Sequence, residues 1–356
     1  MKRFKQILAA ALLLSTCFGL SSCDKNDDNA TDTEALKKDI LSNISTTVIS
    51  DSYGDMYAKA TALSQAVSAL ETTTNDANLQ AARQAWKNMR ITWEQTEAWL
   101  FGPVSSDDID PRIDTWPVDF NALDDQLTSG NAFTESYIND LADDLKGFHP
   151  IEYLLWGQNG SKVAADFTAR EKEYLSALTA NLQKLSKQVN DSWTTGGYAS
   201  LLASAGQQGN STYPSLQSAY LEIVDAMAGI CDEVANGKML DPFAAQDPSQ
   251  EESPFAKNSI TDFTNNIQGI LKIYQGDFDK TGPGLEDLVR EYNLSLDNEF
   301  KTAHATAIAA LQAVTDPFGQ AISSQPSQVQ TAMDKINALA LVMEEKLKPF
   351  LQQYAK

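Results

Sequence analysis

Residues 76–101 read DANLQAARQAWKNMRITWEQTEAWLF. Leu79, Ala82, Trp86, Met89, Trp93 and Leu100 recur at steps that are mostly three or four residues, which stacks them in one apolar stripe along a helix. The same rhythm runs through Leu175, Leu178, Leu182, Leu185 and Val189. It returns near the end of the chain in Val329, Met333, Ile336, Ala340, Met343, Leu347 and Phe350. No convincing run of alternating β-branched residues bounded by hairpin turns is present. The fold class that follows is all-α.

The helical stretches fall into two sets of about four. The first covers 34–71 (with a break near Ser50-Asp51), 76–101, 134–157 and 167–190; the second covers 213–236, 258–275, 284–315 and 325–352. Thr194-Thr195-Gly196-Gly197 and Gly206-Gln207-Gln208-Gly209-Asn210 punctuate the chain between them. The expected architecture is two antiparallel four-helix bundles side by side, residues 34–195 and 196–356. Two segments break the rhythm. Residues 102–125 hold three prolines and seven aspartates around Arg112, and residues 241–259 hold three more prolines and the pair Glu251-Glu252. Long loops of this kind are often functional, with surface decoration as the competing reading. The first lacks the glycine a calcium-binding EF-hand loop requires at its sixth position.

The N-terminus reads as a targeting segment. Lys2, Arg3 and Lys5 form a positive region, Ile7 to Leu14 an apolar one too short to span a bilayer, and Leu20-Ser21-Ser22-Cys23 closes it. This ending resembles the lipobox of bacterial lipoproteins, which makes residues 1–22 the expected signal peptide and Cys23 the expected lipidated residue. Residues 23–33 read as the lipidated cysteine followed by a flexible acidic tether. The acidic stretch is also similar to surface-export signals of some Bacteroidetes lipoproteins. Removing residues 1–22 takes away three positive charges and moves the formal net charge from −21 to −24. So acidic a chain, with no basic run, argues against nucleic acid as a partner and against electrostatic docking on anionic lipid. Cys23 and Cys231 are the cysteines left after cleavage, so no disulfide framework is expected. Cys231, among Ile223, Val224, Met227, Ile230 and Val234, reads as a small buried hydrophobe.

The chain has two histidines. One lies in GFHPIEYLLWG, residues 147–157, where Pro150 suits a first helical position and His149 the N-cap before it. Gly147 allows a sharp reversal just upstream. His149 and Glu152 then sit one helical turn apart on the same side. Three readings are open: a capping arrangement, with Glu152 reaching back to free backbone N–H groups; a metal site, with imidazole and carboxylate pointing into a bundle; and hydrolysis, with Glu152 as general base. Neither H-E-x-x-H nor G-x-S-x-G occurs. His304 lies on the stripe Phe300, His304, Ala307, Leu311, Val314, where a core role is the ordinary expectation and a ligand role the lesser one. Carboxylates of the aspartate-rich loop are better candidate ligands. One nitrogen with several oxygens suits iron or another transition ion, with zinc, magnesium and calcium less favoured.

G-F-H-P-I-E has the form G-x-H-x-x-E, which resembles the signature of the imelysin-like proteins. Ala85-Trp86-x-x-x-Arg90-x-x-Trp93, Phe101-Gly102-Pro103 and Ile113-Asp114-Thr115-Trp116-Pro117-Val118-Asp119 are similar to segments of that family, in order along the chain. So are Glu252-Ser253-Pro254-Phe255, Asn258-Ser259-x-x-Asp262-Phe263 and Tyr274-Gln275-Gly276. The family is grouped with metallopeptidases after an insulin-cleaving outer-membrane member, and it includes iron-regulated proteins and an iron-uptake component. The resemblance implies a lipid-anchored or periplasmic two-bundle protein with a pocket where the bundles meet. It implies Gly147, His149 and Glu152 as signature residues, Arg112, Asp114, Trp116 and Asp119 on the first side, and Glu252, Ser253, Ser259 and Asp262 on the second. We take His149, Glu152, Asp114 and Asp119 as the expected metal set, the two aspartates by inference from the loop. The favoured expectation is a cell-envelope lipoprotein of the outer membrane that binds a metal ion, iron first, or a small iron-bearing ligand, and serves iron uptake with partner proteins of the envelope. A metallopeptidase using His149 and Glu152, and a non-catalytic module binding a protein or glycan, are the alternatives.

Overall fold

The computed structural model describes residues 25–356, with side chains from residue 33 onward. The expected signal peptide 1–22 and Cys23 lie outside the described residues. Among the described residues there is no β-strand, and no helix is long and apolar enough to cross a membrane.

Helix α1 (Lys25–Asn43) begins inside the stretch read as a tether and runs through a π-turn (Ile44–Ser50) into α2 (Asp51–Thr72). The residues at both joints keep helical angles, so the expected break at Ser50-Asp51 is a widening of one turn rather than a loop. Helix α3 (Asp76–Thr96) is capped by Asn75, whose side chain accepts from the Asn78 N–H at 2.8 Å. Next come α4 (Phe148–Trp156) and α5 (Ala169–Trp193), the latter started by a Thr168/Glu171 capping box. The second half supplies α6 (Leu216–Glu233), α7 (Ser259–Gln275), α8 (Leu294–Gln312) and α9 (Pro326–Val342).

Helices α2, α3 and α5 pack together with the short α4 against them, and α6, α7, α8 and α9 form the second group. The stripe seen in residues 76–101 explains the first core: Leu79, Ala82, Trp86, Met89 and Trp93 are buried. Each large side chain so buried contributes roughly 1.5–3 kcal/mol by removal from water. The first helix serves both groups. After the π-turn it packs on α3 and α5, whereas α1 packs on residues 198–203 and α6. There the Tyr220 hydroxyl donates to the Lys37 carbonyl at 2.8 Å.

Three expected elements differ in detail. Residues 134–157 split into Glu135–Asp140, a 3-10 turn at Asp143–Leu145, and α4. Residues 284–315 break at Asn293, whose side chain accepts from Leu296 N–H and so starts α8. The aspartate-rich loop is itself built of short helices, Pro103–Ser106, Asp110–Asp114 and Phe120–Thr128. Prolines near the start of the first two and the Asp119 cap on the third supply the missing start signals.

The two groups meet along α3 and α7. Gly269 makes the approach possible: a Cβ there would lie 2.2 Å from the Gln95 carbonyl oxygen and 3.1 Å from Ala98 Cβ. Beside it, Gln95 Nε2 donates to Asn265 Oδ1 at 2.8 Å and Asn266 Nδ2 to the Glu94 carbonyl at 3.1 Å. Gly269→Ala should lower stability by about 1–3 kcal/mol through overpacking, read as a lower urea midpoint. An unchanged midpoint would contradict this contact.

Candidate metal centre

The centre begins with a glycine. Gly147 has φ +82°, and a Cβ on it would stand 2.2 Å from the Ile113 carbonyl oxygen. Only glycine lets the start of α4 lie this close to the helix Asp110–Asp114. That approach sets His149 Nε2 3.0 Å from Asp114 Oδ1. Gly147 is also the N-cap of α4, so His149 lies in the first turn and not at the cap. The chain reversal needs a positive φ at Gly147, which fixes the helix start two residues ahead of the expected place.

Glu152 does not reach back to its own helix start. Its Oε1 accepts from the backbone N–H groups of Phe255 and Ala256 at 3.0 and 2.7 Å, across the join between the bundles. Its Oε2 stands 3.7 Å from His149 Nδ1. The residues 251–262 thereby held bring Glu252 Oε1 to 3.9 Å from His149 Nε2. Asp114, His149 and Glu252 each offer a ligand atom within 4.8 Å of the others. Neither ring nitrogen of His149 has a well-directed hydrogen bond, although the residue is wholly buried. Trp116 lies over the imidazole, ring centroids 4.8 Å apart, and its Nε1 donates to the Gln250 carbonyl at 3.3 Å.

Charge is dense here. Arg90, fully buried, pairs with Glu94 and Asp114, and its Nη2 lies 2.9 Å from Glu252 Oε1. Its guanidinium stands over the rings of Phe148 and Trp86 at 4.9 and 5.8 Å. Lys238 adds Glu97 at 3.0 Å and Glu252 at 3.4 Å. Five buried carboxyl groups, Glu94, Glu97, Asp114, Glu252 and Asp262, thus face two permanent cations, and a sixth, Glu152, faces His149. Burial raises Glu94, Glu97 and Glu152 above the usual carboxylate range, against the pull of Arg90, Lys238 and His149 respectively. Asp262 is pushed to about 7 by burial that Arg90 only partly offsets. Asp114 and Glu252 go the other way. Burial opposes them too, but Arg90 with His149 holds Asp114 well below the usual range, and Lys238 with Arg90 lowers Glu252. For His149, burial works against the charged ring, yet Asp114 and Glu152 carry it up to about 9. The two carboxylates that face His149 Nε2 are therefore the ones that favour the ionised form.

A cavity of about 420 Å³ opens beside this cluster, with Glu97, Asp110, Asp114, Trp116, Lys238 and Glu252 in its wall. The other expected residues fall into two groups. Ser253, Ser259 and Asp262 are buried supports: Ser253 Oγ donates to Asp262 Oδ2 at 2.6 Å, and Ser259 Oγ to Glu251 Oε2 at 2.8 Å. Asp119 and Arg112 point elsewhere. Asp119 is exposed and accepts from Ala122 N–H at 3.0 Å as a helix cap, so it is not grouped with Asp114, His149 and Glu252; a short polar side chain at a helix start is held by the free N–H groups there. Arg112 Nη2 donates to Asn139 Oδ1 at 2.9 Å. His304 is a core residue, its Nε2 2.9 Å from the Ile267 carbonyl oxygen. Four participants went unassigned in the sequence: Arg90, Glu94, Glu97 and Lys238. The first three recur at i, i+4 and i+7 along α3 and the turn that follows it. Arg90 falls in the apolar stripe itself, four residues after Trp86 and three before Trp93, and α4 and α7 close over this side of the helix.

Two joined helical bundles with a histidine–carboxylate cluster sealed at their junction define the class of protein. The chain belongs to the imelysin family, whose Imelysin model matches residues 49–343. It is 32% identical over 313 residues to "Iron-regulated protein A" of Synechococcus elongatus, covering 86% of this chain and 84% of that one. Among solved structures, a protein assigned as an iron-regulated protein A precursor from Parabacteroides distasonis superimposes with a TM-score of 0.81 at 24% identity, over 91% of this chain and 96% of its own. An imelysin-like protein from Psychrobacter arcticum 273-4 gives 0.75 at 15% identity, over 89% and 96%.

Gly147→Ala should cost about 2–4 kcal/mol, since it combines a positive φ with a backbone clash. It should also loosen the His149–Asp114 pairing, seen as a changed His149 imidazole resonance. A variant with wild-type stability and an unchanged resonance would refute the proposed approach.

Proposed function

We propose that the protein captures a metal ion, iron first, or a small iron-bearing ligand, at the junction of its two bundles. The observation that carries this reading is the convergence of Asp114, His149 and Glu252 on one point, around a buried imidazole with no well-directed hydrogen bond. A donor set of one imidazole and two carboxylates fits iron and related transition ions. Asp114, His149 and Glu252 would hold the ion, and Glu152, beside the other ring nitrogen, would orient the imidazole. The name of the cyanobacterial relative supports iron as the first ion to test.

Hydrolysis by His149 and Glu152 is less well supported. A general base needs a free carboxylate facing the attacked group. Glu152 is wholly buried, and one of its oxygens already accepts two backbone N–H groups. We further propose export and outer-membrane anchoring through Cys23, facing the periplasm or the surface, with capture feeding uptake proteins of the envelope. A Cys23→Ser variant should leave the membrane fraction for the soluble one; retention there would refute the anchor.

The test is anaerobic calorimetry on residues 24–356 with Fe(II), and in parallel Fe(III), Zn(II) and Ca(II). One equivalent of iron should bind, and His149→Ala, Asp114→Asn and Glu252→Gln should each weaken it on the order of a hundredfold, while Asp119→Asn leaves it unchanged. Absence of binding by any ion would overturn the proposal. The pH dependence has a definite sign. A metal must displace the proton that His149 holds up to about 9, so affinity should rise roughly tenfold per pH unit toward that value and level above it. An affinity flat from pH 6 to 8 would remove His149 from the ligand set.

A further inference from the structure

Lys238 closes the π-turn Val234–Lys238 that follows α6. Its ammonium stands among four carboxylates: Glu97 at 3.0 Å, Glu252 at 3.4 Å, Glu233 at 3.5 Å and Glu94 at 3.9 Å. The atom it reaches on Glu252 is Oε1, the same oxygen that faces His149 and Arg90. The side chain is 12% exposed and forms part of the cavity wall. Arg90 competes for that oxygen too, but it cannot leave. Its guanidinium is fully buried against Phe148 and Trp86 and tied to three further carboxylates. Lys238 is different: a flexible four-carbon stem carries its charge, and one of its carboxylates, Glu233, is half exposed at the cavity edge.

We propose that Lys238 is a tethered counter-ion that holds the cation position on Glu252 until cargo arrives, and then withdraws toward Glu233. The inference rests on the capture reading above. A cation held by Asp114, His149 and Glu252 takes the Glu252 oxygen that Lys238 now shares, and two positive charges on one carboxylate repel. Lys238 therefore sets how tightly the ion is held, and returns to help expel it. A capture protein that must hand its cargo on needs such a limit on affinity.

The test uses the mature chain and Fe(II) under anaerobic conditions, with affinity measured by competition against a chelator. Lys238→Met should bind Fe(II) on the order of tenfold more tightly than wild type and release it more slowly, whereas Lys238→Arg should not gain affinity. On the wild-type protein, labelling of Lys238 by an amine-reactive ester, read by mass spectrometry, should speed up when Fe(II) is added at saturation. That readout stands even where Lys238→Met fails to fold. Iron binding by wild type with unchanged Lys238 labelling, or with unchanged or weaker affinity in a folded Lys238→Met, overturns this role and leaves the capture reading in place. Failure of every variant and of wild type to bind Fe(II) overturns both.

Discussion

Arg90 is the group on which the rest depends. A guanidinium with no solvent contact costs several kcal/mol to desolvate, and it is stable only where several carboxylates and aromatic faces surround it. Those partners come from separate parts of the chain: Glu94 on the same helix, Asp114 from the proline-rich loop, Glu252 and Asp262 from the second half. Removing any one leaves charge uncompensated in the interior. The bundle join, the loop path and the ionisation of the candidate ligands are thus one electrostatic arrangement.

This arrangement also explains the signature G-x-H-x-x-E in physical terms. Gly147 supplies a close approach to the Ile113 carbonyl, His149 supplies the imidazole so placed, and Glu152 fastens the residues after Glu252 through two backbone N–H groups. The glycine starts its own helix and also admits the neighbouring backbone, whereas the glutamate serves the other half of the molecule. They align the two halves on either side of the histidine.

How much of this is legible in the sequence follows from which forces act locally. The stripe Leu79, Ala82, Trp86, Met89, Trp93 is local and periodic, so the helices and their class could be read directly. Asp114 could be placed near His149 only by inference from its loop and Glu252 only through resemblance, because short helices and turns separate the first from it and longer helices the second. Asp119 caps a helix, and an aspartate in that place looks, in a string of letters, like one that binds a cation. Arg90, Glu94, Glu97 and Lys238 stayed hidden for a different reason. Arg90 shares the apolar stripe of Trp86 and Trp93, a local sign of burial, but nothing in the spacing of Glu94, Glu97 and Lys238 tells which elements close over them.

The first helix carries a consequence for how the molecule comes together. Its opening turns belong with the second bundle, and Lys37 Nζ donates to the carbonyl of Lys356, the last residue, at 2.6 Å. Residues 37 and 356 are thereby joined across the second group. Local helices can form as soon as their residues exist, but this ring of contacts has the greatest sequence separation the fold offers and the largest entropy of closure. Helix α1 therefore takes its seat on the second group through contacts that the local helices cannot make for themselves.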